Sequence, residues 1–66
     1  MNYVNQVVAA RANCGRRIEA VRYYLTSEEY HRLLRQASCA AHWGEAAAAA
    51  EQAEALAAAA KRRAAG

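Results

Sequence analysis

From Glu45 to Ala64 the chain reads EAAAAAEQAEALAAAAKRRA, and twelve of these twenty residues are alanine. Alanine has the highest intrinsic helix propensity and adds almost no bulk to a core. The stretch therefore predicts a helix that can approach a partner closely but carries little that could do chemistry. The basic residues Lys61, Arg62 and Arg63 near its end complement the negative end of a helix dipole.

A helix start is marked well upstream of this stretch, at Thr26-Ser27-Glu28-Glu29. Thr26 and Glu29 have the spacing of a capping box, and both glutamates lie where the helix dipole favours negative charge. No strong breaker follows, since proline is absent and Gly44 is the only glycine between Glu29 and the C-terminal residue. We therefore expect a second helix from about residue 27 to about residue 64, roughly 57 Å long, which could kink at Gly44.

A first helix is predicted from about residue 2 to about residue 25. Apolar residues recur there at alternating three- and four-residue steps, with Arg11 in the one missing slot; they are Val4, Val7, Cys14, Ile18, Val21 and Leu25. A matching stripe on the second helix comprises Tyr30, Leu33, Leu34, Ala37 and Ala41. The short connection between the helices predicts an all-α fold, an antiparallel helical hairpin in a single domain of residues 1–66.

The unequal lengths of the two predicted helices favour self-association. The shorter helix would cover the longer one only to about residue 50, so Glu51 to Ala65 would extend past it with alanine and Leu56 to bury. An isolated helix of that length is marginal in water, and a chain of 66 residues has a small core. We therefore expect a dimeric or higher helical bundle, with Ala48, Ala55, Leu56 and Ala59 in the interface between chains.

Composition restricts the environment and the partners of the chain. The net charge of +3 and a pI of about 9.2 suit an acidic protein surface or nucleic acid, without choosing between them. The N-terminal residues lack the pattern of a signal peptide, and the longest apolar stretch is alanine interrupted by glutamate, which does not suit a membrane span. We expect a cytoplasmic protein with no membrane partner.

One face of the second helix carries the candidate protein-binding surface. Helical projection places Arg32, Cys39 and Trp43 away from the apolar stripe, with Arg35 at its edge. Tryptophan and arginine are enriched among the residues that dominate binding energy at protein interfaces. These four residues are predicted to bind a partner, although Trp43 could instead cover a neighbouring copy of the chain.

Metal, disulfide and catalytic chemistry are each poorly supported by the spacing. Cys39-x-x-His42 makes only half a zinc site, and Cys39 lies at the same height as Cys14 in the hairpin but projects from the face opposite to the one that meets the first helix. The chain has no aspartate, no glycine-rich phosphate loop and no nucleophile with a supported base. We expect no metal, no cofactor, free thiols and no enzymatic activity.

The stretch from Val21 to Ala37, VRYYLTSEEYHRLLRQA, resembles the strand and first helix of ribbon-helix-helix DNA-binding proteins, including accessory proteins of plasmid mobilisation. The resemblance implies a strand that pairs with a dimer mate and enters the major groove. Ala20, Arg22 and Tyr24 would then face the groove, and Val21, Tyr23 and Leu25 would face the core. It makes a dimeric DNA-binding regulator the alternative function.

Nucleic-acid contact is also conceivable for a fully helical chain, through its basic side chains. The candidate residues are Arg16, Arg17, Arg22, Lys61, Arg62 and Arg63. The favoured interpretation remains a small non-enzymatic protein-binding module. Short chains rich in alanine and arginine are common in phages and mobile elements, where many inhibit or redirect a larger host machine, so we expect an inhibitor or modulator of that type.

Overall fold

The computed structural model describes residues 3–66, which form three helices packed together. Helix α1 spans Tyr3–Ala20, α2 spans Ser27–Ser38 and α3 spans Trp43–Ala65, with a short 3-10 helix at Arg22–Tyr24 between the first two. The predicted all-α class is confirmed, since no strand occurs within residues 3–66. No helix in this range is long and apolar enough to cross a membrane.

The chain turns between α1 and α2 through a capping box. The Thr26 hydroxyl accepts from the Glu29 amide at 3.0 Å, and the Glu29 carboxylate accepts from the Thr26 amide at 2.9 Å. This cap requires Thr26 to be extended, at φ −69° and ψ 159°, so the first helix cannot run directly into the second. Helix α1 therefore ends at Ala20 rather than near Leu25, and the intervening residues tighten into a 3-10 turn.

The single long helix expected over residues 27–64 is interrupted between Ser38 and Trp43. His42 is extended there, and its Nδ1 accepts from the Gly44 amide at 2.9 Å, which caps α3. Glu45 accepts from the Ala41 amide at 2.9 Å, and Arg11 Nε donates to the Ala40 carbonyl at 2.8 Å. Backbone groups freed by the break are thus satisfied, and the chain is 47 Å in its longest dimension, shorter than the helix that was expected.

Helix α3 lies alongside α1 and runs in the same direction. Arg17 pairs with Glu54, and Lys61 lies over the ring of Tyr24, both at a separation of 37 residues. Trp43 lies beside the earlier turns of α1 at a similar offset. A constant offset along two helices means parallel axes of the same polarity, and α2 packs against both of them in the opposite direction.

The core is built mostly from alanine. Among the side chains that the structure describes, only Ile18 and Leu33 are large and fully buried, and α3 contributes Ala46, Ala49, Ala50, Ala53 and Ala57. Small side chains let the three helix backbones approach closely, which explains why the alanine face is buried within one chain. The expectation that residues 51–65 lack an intrachain partner is wrong for Ala53 and Ala57, which are buried, and for Leu56, which packs against the core. Residues 61–65 are exposed, so the argument from an uncovered helix for self-association is restricted to the last turn of α3.

Candidate functional site

The four residues predicted to bind a partner lie on two different surfaces. Arg32, Arg35 and Cys39 line a shallow groove along the outer face of α2. Trp43 lines a separate depression formed with the N-terminal half of α1. The helical projection had assumed one continuous helix, and the break before Trp43 changes its direction relative to α2.

Trp43 is the largest apolar side chain on the surface, and 52% of it is exposed. Its ring stacks on the His42 imidazole, with ring centroids 5.2 Å apart and planes inclined at 28°. Because that imidazole also caps α3 through the Gly44 amide, the position of the indole is tied to the helix start. Trp43 is therefore presented on a fixed element rather than on a loose loop.

Two further apolar side chains are exposed at the same end of the bundle. Val4 and Val8, one helical turn apart on α1, are 62% and 53% exposed. They lie beyond the end of α2, which stops at Ser38. We call Val4, Val8 and Trp43 the apolar end. The polar residues Gln6, Asn13 and Arg16 border the depression around Trp43.

The cysteines and histidines occupy unrelated positions. Cys14 is buried in the core, Cys39 is exposed at the end of α2, and both thiols are free. Across residues 3–66, no three His, Cys, Asp or Glu side chains are grouped so that they could hold a metal ion. In the candidate half-site Cys39-x-x-His42, the imidazole Nδ1 is already the acceptor for the Gly44 amide.

Arg17 and Glu54 form a bidentate ion pair between α1 and α3. Arg17 Nη2 lies 2.7 Å and Nε 2.9 Å from the two carboxylate oxygens. These hydrogen bonds lower the pKa of Glu54 and raise that of Arg17 further above its ordinary value. Arg17 was predicted as a nucleic-acid contact, but the structure gives it a bracing position between two helices.

The other predicted nucleic-acid contacts divide between two parts of the bundle. Arg16 is exposed in the C-terminal third of α1, where Nη2 lies 3.5 Å from Asn13 Oδ1. Arg22 follows α1, and its guanidinium lies 4.5 Å above the ring of Tyr30. Lys61 Nζ lies 5.2 Å from the ring centroid of Tyr24, so Arg22 and the C-terminal basic run share one end of the molecule. Arg62 and Arg63 are exposed in the last turn of α3.

Sequence reasoning missed a network that joins α1 to α2. The hydroxyl of Tyr30, a residue of the core, donates a hydrogen bond to Glu19, which also pairs with Arg22 at 3.5 Å. That hydrogen bond lowers the pKa of Glu19 and raises the pKa of Tyr30. The contact of Arg11 with the Ala40 carbonyl was missed as well. The only signal for it was one charged residue in an otherwise apolar stripe.

The strand implied by the ribbon-helix-helix resemblance is not formed in the described chain. Arg22, Tyr23 and Tyr24 lie in a 3-10 helix, and Ala20 is the last residue of α1. Tyr23, which the resemblance turned towards the core, is 89% exposed. The 3-10 turn is required here because the chain reverses direction into the Thr26 cap.

The predicted interface residues between chains also divide into two groups. Ala48 and Ala55 are exposed on the outer face of α3, seven residues apart. Leu56 and Ala59 are half-buried, and Leu56 packs against the core of its own chain. Leu56 is therefore already used within the protomer.

No protein-family model matches the chain, and comparison with curated proteins and with solved structures finds no match either.

Proposed function

We propose that this protein is a small non-enzymatic binding module that docks on another protein through Trp43. In this proposal it inhibits or modulates a larger macromolecular machine by occupying a surface, in the manner of phage and mobile-element accessory proteins. Supporting this, a tryptophan with 52% of its side chain exposed is fixed at the edge of a core that is built mostly from alanine.

The exposure of Trp43 is energetically informative. Burying the exposed half of an indole removes on the order of 100 Å² of apolar surface from water. At about 25 cal/mol per Å², this is worth about 2.5 kcal/mol, which is in the range of an interface hot spot. The chain could have gained that energy by placing the ring in its own small core.

The surroundings of Trp43 also suit a protein interface. Stacking on His42 fixes the indole before binding, so little side-chain entropy is lost when a partner covers it. Gln6, Asn13 and Arg16 supply a polar border around the apolar centre. Val4 and Val8 are also exposed at this end of the bundle, outside the Trp43 depression. The groove with Arg32, Arg35 and Cys39 is then a separate surface that this proposal does not need.

The test compares capture of a partner by the full chain and by two variants. The variants are Trp43→Ala and a matched control, Tyr23→Ala. Each substitution removes one exposed aromatic ring, and the two rings lie at opposite ends of the bundle. Lysate of the source cells is passed over each immobilised protein, and the captured protein is purified and titrated by calorimetry. We expect Trp43→Ala to weaken binding roughly 60-fold, and Tyr23→Ala to leave the protein-partner affinity unchanged.

Self-association is the competing use of Trp43, and sedimentation equilibrium separates the two. If the chain alone forms dimers that Trp43→Ala dissociates, the indole is a contact between copies and the proposal is wrong. Equal capture by the parent chain and by Trp43→Ala, with helical circular dichroism unchanged, would also overturn it.

A further inference from the structure

The end of the bundle opposite Trp43 combines aromatic rings with basic side chains. We call it the tyrosine end; it comprises Arg22, Tyr23, Tyr24, Lys61, Arg62 and Arg63. The rings of Tyr23 and Tyr24 meet edge to face with centroids 5.1 Å apart. Lys61 Nζ lies 5.2 Å from the Tyr24 centroid, which joins the C-terminal turn of α3 to this pair. Tyr23 is the most exposed large hydrophobic side chain among those described, at 89%.

The 3-10 turn produces this arrangement. With three residues per turn, successive side chains point about 120° apart. Arg22 therefore reaches back over Tyr30, Tyr24 turns towards Lys61 on α3, and Tyr23 is left facing solvent. Tyr30 is buried and hydrogen-bonded to Glu19, so the ring beneath Arg22 is fixed. The exposure of Tyr23 follows from the turn itself.

The charges at this end are close to balance. Arg22, Lys61, Arg62 and Arg63 supply four cations, while Glu19, Glu28 and Glu29 lie on the adjoining ends of α1 and α2. Two of the carboxylates are engaged, since Glu19 accepts from Tyr30 and Glu29 caps Thr26. Duplex binding depends mainly on phosphate neutralisation, for which such a small excess of cations is insufficient. An exposed ring, by contrast, can stack on an unpaired base.

We propose that the tyrosine end binds single-stranded nucleic acid, with a base stacked on Tyr23 and phosphates contacted by Lys61, Arg62 and Arg63. Stacking on an aromatic side chain tolerates any base, so little sequence preference is expected. Trp43 and Lys61 are 18 positions apart on α3, about 27 Å at 1.5 Å per residue. This binding is therefore separate from the protein docking proposed for the apolar end, and neither depends on the other.

The test measures fluorescence anisotropy of a labelled oligothymidylate of about 12 nucleotides, a length within known single-strand site sizes. Tyr23→Ala is expected to weaken binding about 10-fold, within the range of roughly 5- to 150-fold that loss of one stacked base gives. Tyr23→Phe retains the ring and should bind as the parent does. Trp43→Ala, at the far end, should also bind as the parent does. For three phosphate contacts, a plot of the logarithm of the association constant against the logarithm of the salt concentration should have a slope of about −2.

Each contrary outcome removes the proposal. No binding at about 50 mM salt with protein in excess, or equal binding by the parent chain and Tyr23→Ala, would overturn it. Tighter binding to the same sequence as a duplex would assign the basic residues to double-stranded DNA instead. Tighter binding to phosphatidylserine vesicles or to a polyglutamate peptide would assign this end to a membrane surface or an acidic protein. Circular dichroism of each variant shows that the helices are intact.

Discussion

Replacing Gly15 by alanine should stabilise the protein, because the structure leaves room for the added methyl group. Gly15 lies within α1, where glycine is less favourable than alanine by about 0.8–1.0 kcal/mol. A Cβ at this position would meet Leu34 Cδ1 at 3.8 Å, an ordinary van der Waals contact between α1 and α2. We expect the free energy of unfolding to rise by about 1 kcal/mol and Tm to rise by about 4–8 °C.

Gly44→Ala is the matched control, and it should not stabilise. A Cβ there would lie 3.1 Å from His42 Nδ1, the atom that accepts from the Gly44 amide. The methyl group displaces the imidazole, and loss of such a cap costs about 1 kcal/mol. That loss offsets the gain in helix propensity. Because Trp43 stacks on the same imidazole, Gly44→Ala should also weaken docking at the apolar end.

Urea denaturation followed by far-ultraviolet circular dichroism measures both variants against the parent chain. If Gly15→Ala were destabilised instead, α1 and α2 would have to lie closer together than the structure shows, so that the added methyl group clashed with Leu34. Stabilisation of Gly44→Ala equal to that of Gly15→Ala would mean that the His42 cap does not form.

Three further predictions concern the core and the ion pairs. Leu33→Ala should cost about 3 kcal/mol, because Leu33 is fully buried and this approaches the whole stability of so small a core, so circular dichroism without urea should already show extensive unfolding. A double-mutant cycle with Arg17→Ala and Glu54→Ala should give a coupling of only about 0.5–1 kcal/mol, since the two side chains are 36% and 43% exposed; zero coupling would show that the bidentate pair does not stabilise the fold. The pKa values of Glu19 and Glu54 are both lowered by hydrogen bonds in the folded state. The two ionised carboxylates therefore contribute fully to the free energy of unfolding above the ordinary carboxyl pKa of about 4.3, and this contribution is lost as the pH falls through their lowered pKa values in the folded protein. The urea concentration at the unfolding midpoint should therefore decrease when the pH is lowered below about 4.3, and it should decrease less steeply in Glu54→Gln. An equal decrease in that variant would show that protonation of Glu54 does not cause the loss of stability.

Local signals in the sequence predicted the helical class and the start of α2. The Thr26 and Glu29 capping box is formed by residues three apart, so its geometry depends on nothing distant. The extent of α1 was overestimated because its apolar stripe continues in phase past Ala20. The chain reverses direction between α1 and α2, and this reversal produces the 3-10 turn. Hydrophobic periodicity alone does not predict such a reversal.

The break before α3 depends on contacts that a sequence does not display. Ser38 to His42 contains no proline or glycine, and histidine is not among the preferred N-cap residues. The break is stabilised from outside the segment, by Arg11 donating to the Ala40 carbonyl 29 residues away. It is also favoured because the alanine face of α3 can then be buried between α1 and α2.

The candidate sites depend directly on that break. In a continuous helix, Trp43 would have lain on the same face as Arg32 and Cys39, whereas the structure places it beside α1. Exposed tryptophan could be foreseen from its position off the apolar stripe, but its neighbours could not. The exposure of Tyr23 could not be foreseen either. A helix and a strand through residues 20–25 would point its side chain in different directions, and the observed 3-10 turn gives a third direction.

The two proposed binding ends lie at opposite ends of one rigid unit, which makes their independence testable. Helix α3 joins Trp43 to Lys61 without a break, and Arg17 braces it against α1 between them. A ligand bound at one end can change the affinity at the other end only if α3 moves relative to α1. Coupling of the two affinities requires two conformations of the protein to which each ligand binds with different strength. We therefore expect saturating oligothymidylate to leave the affinity for a protein partner unchanged. A change in that affinity, lost in Glu54→Ala, would show instead that the α1–α3 pairing shifts on binding.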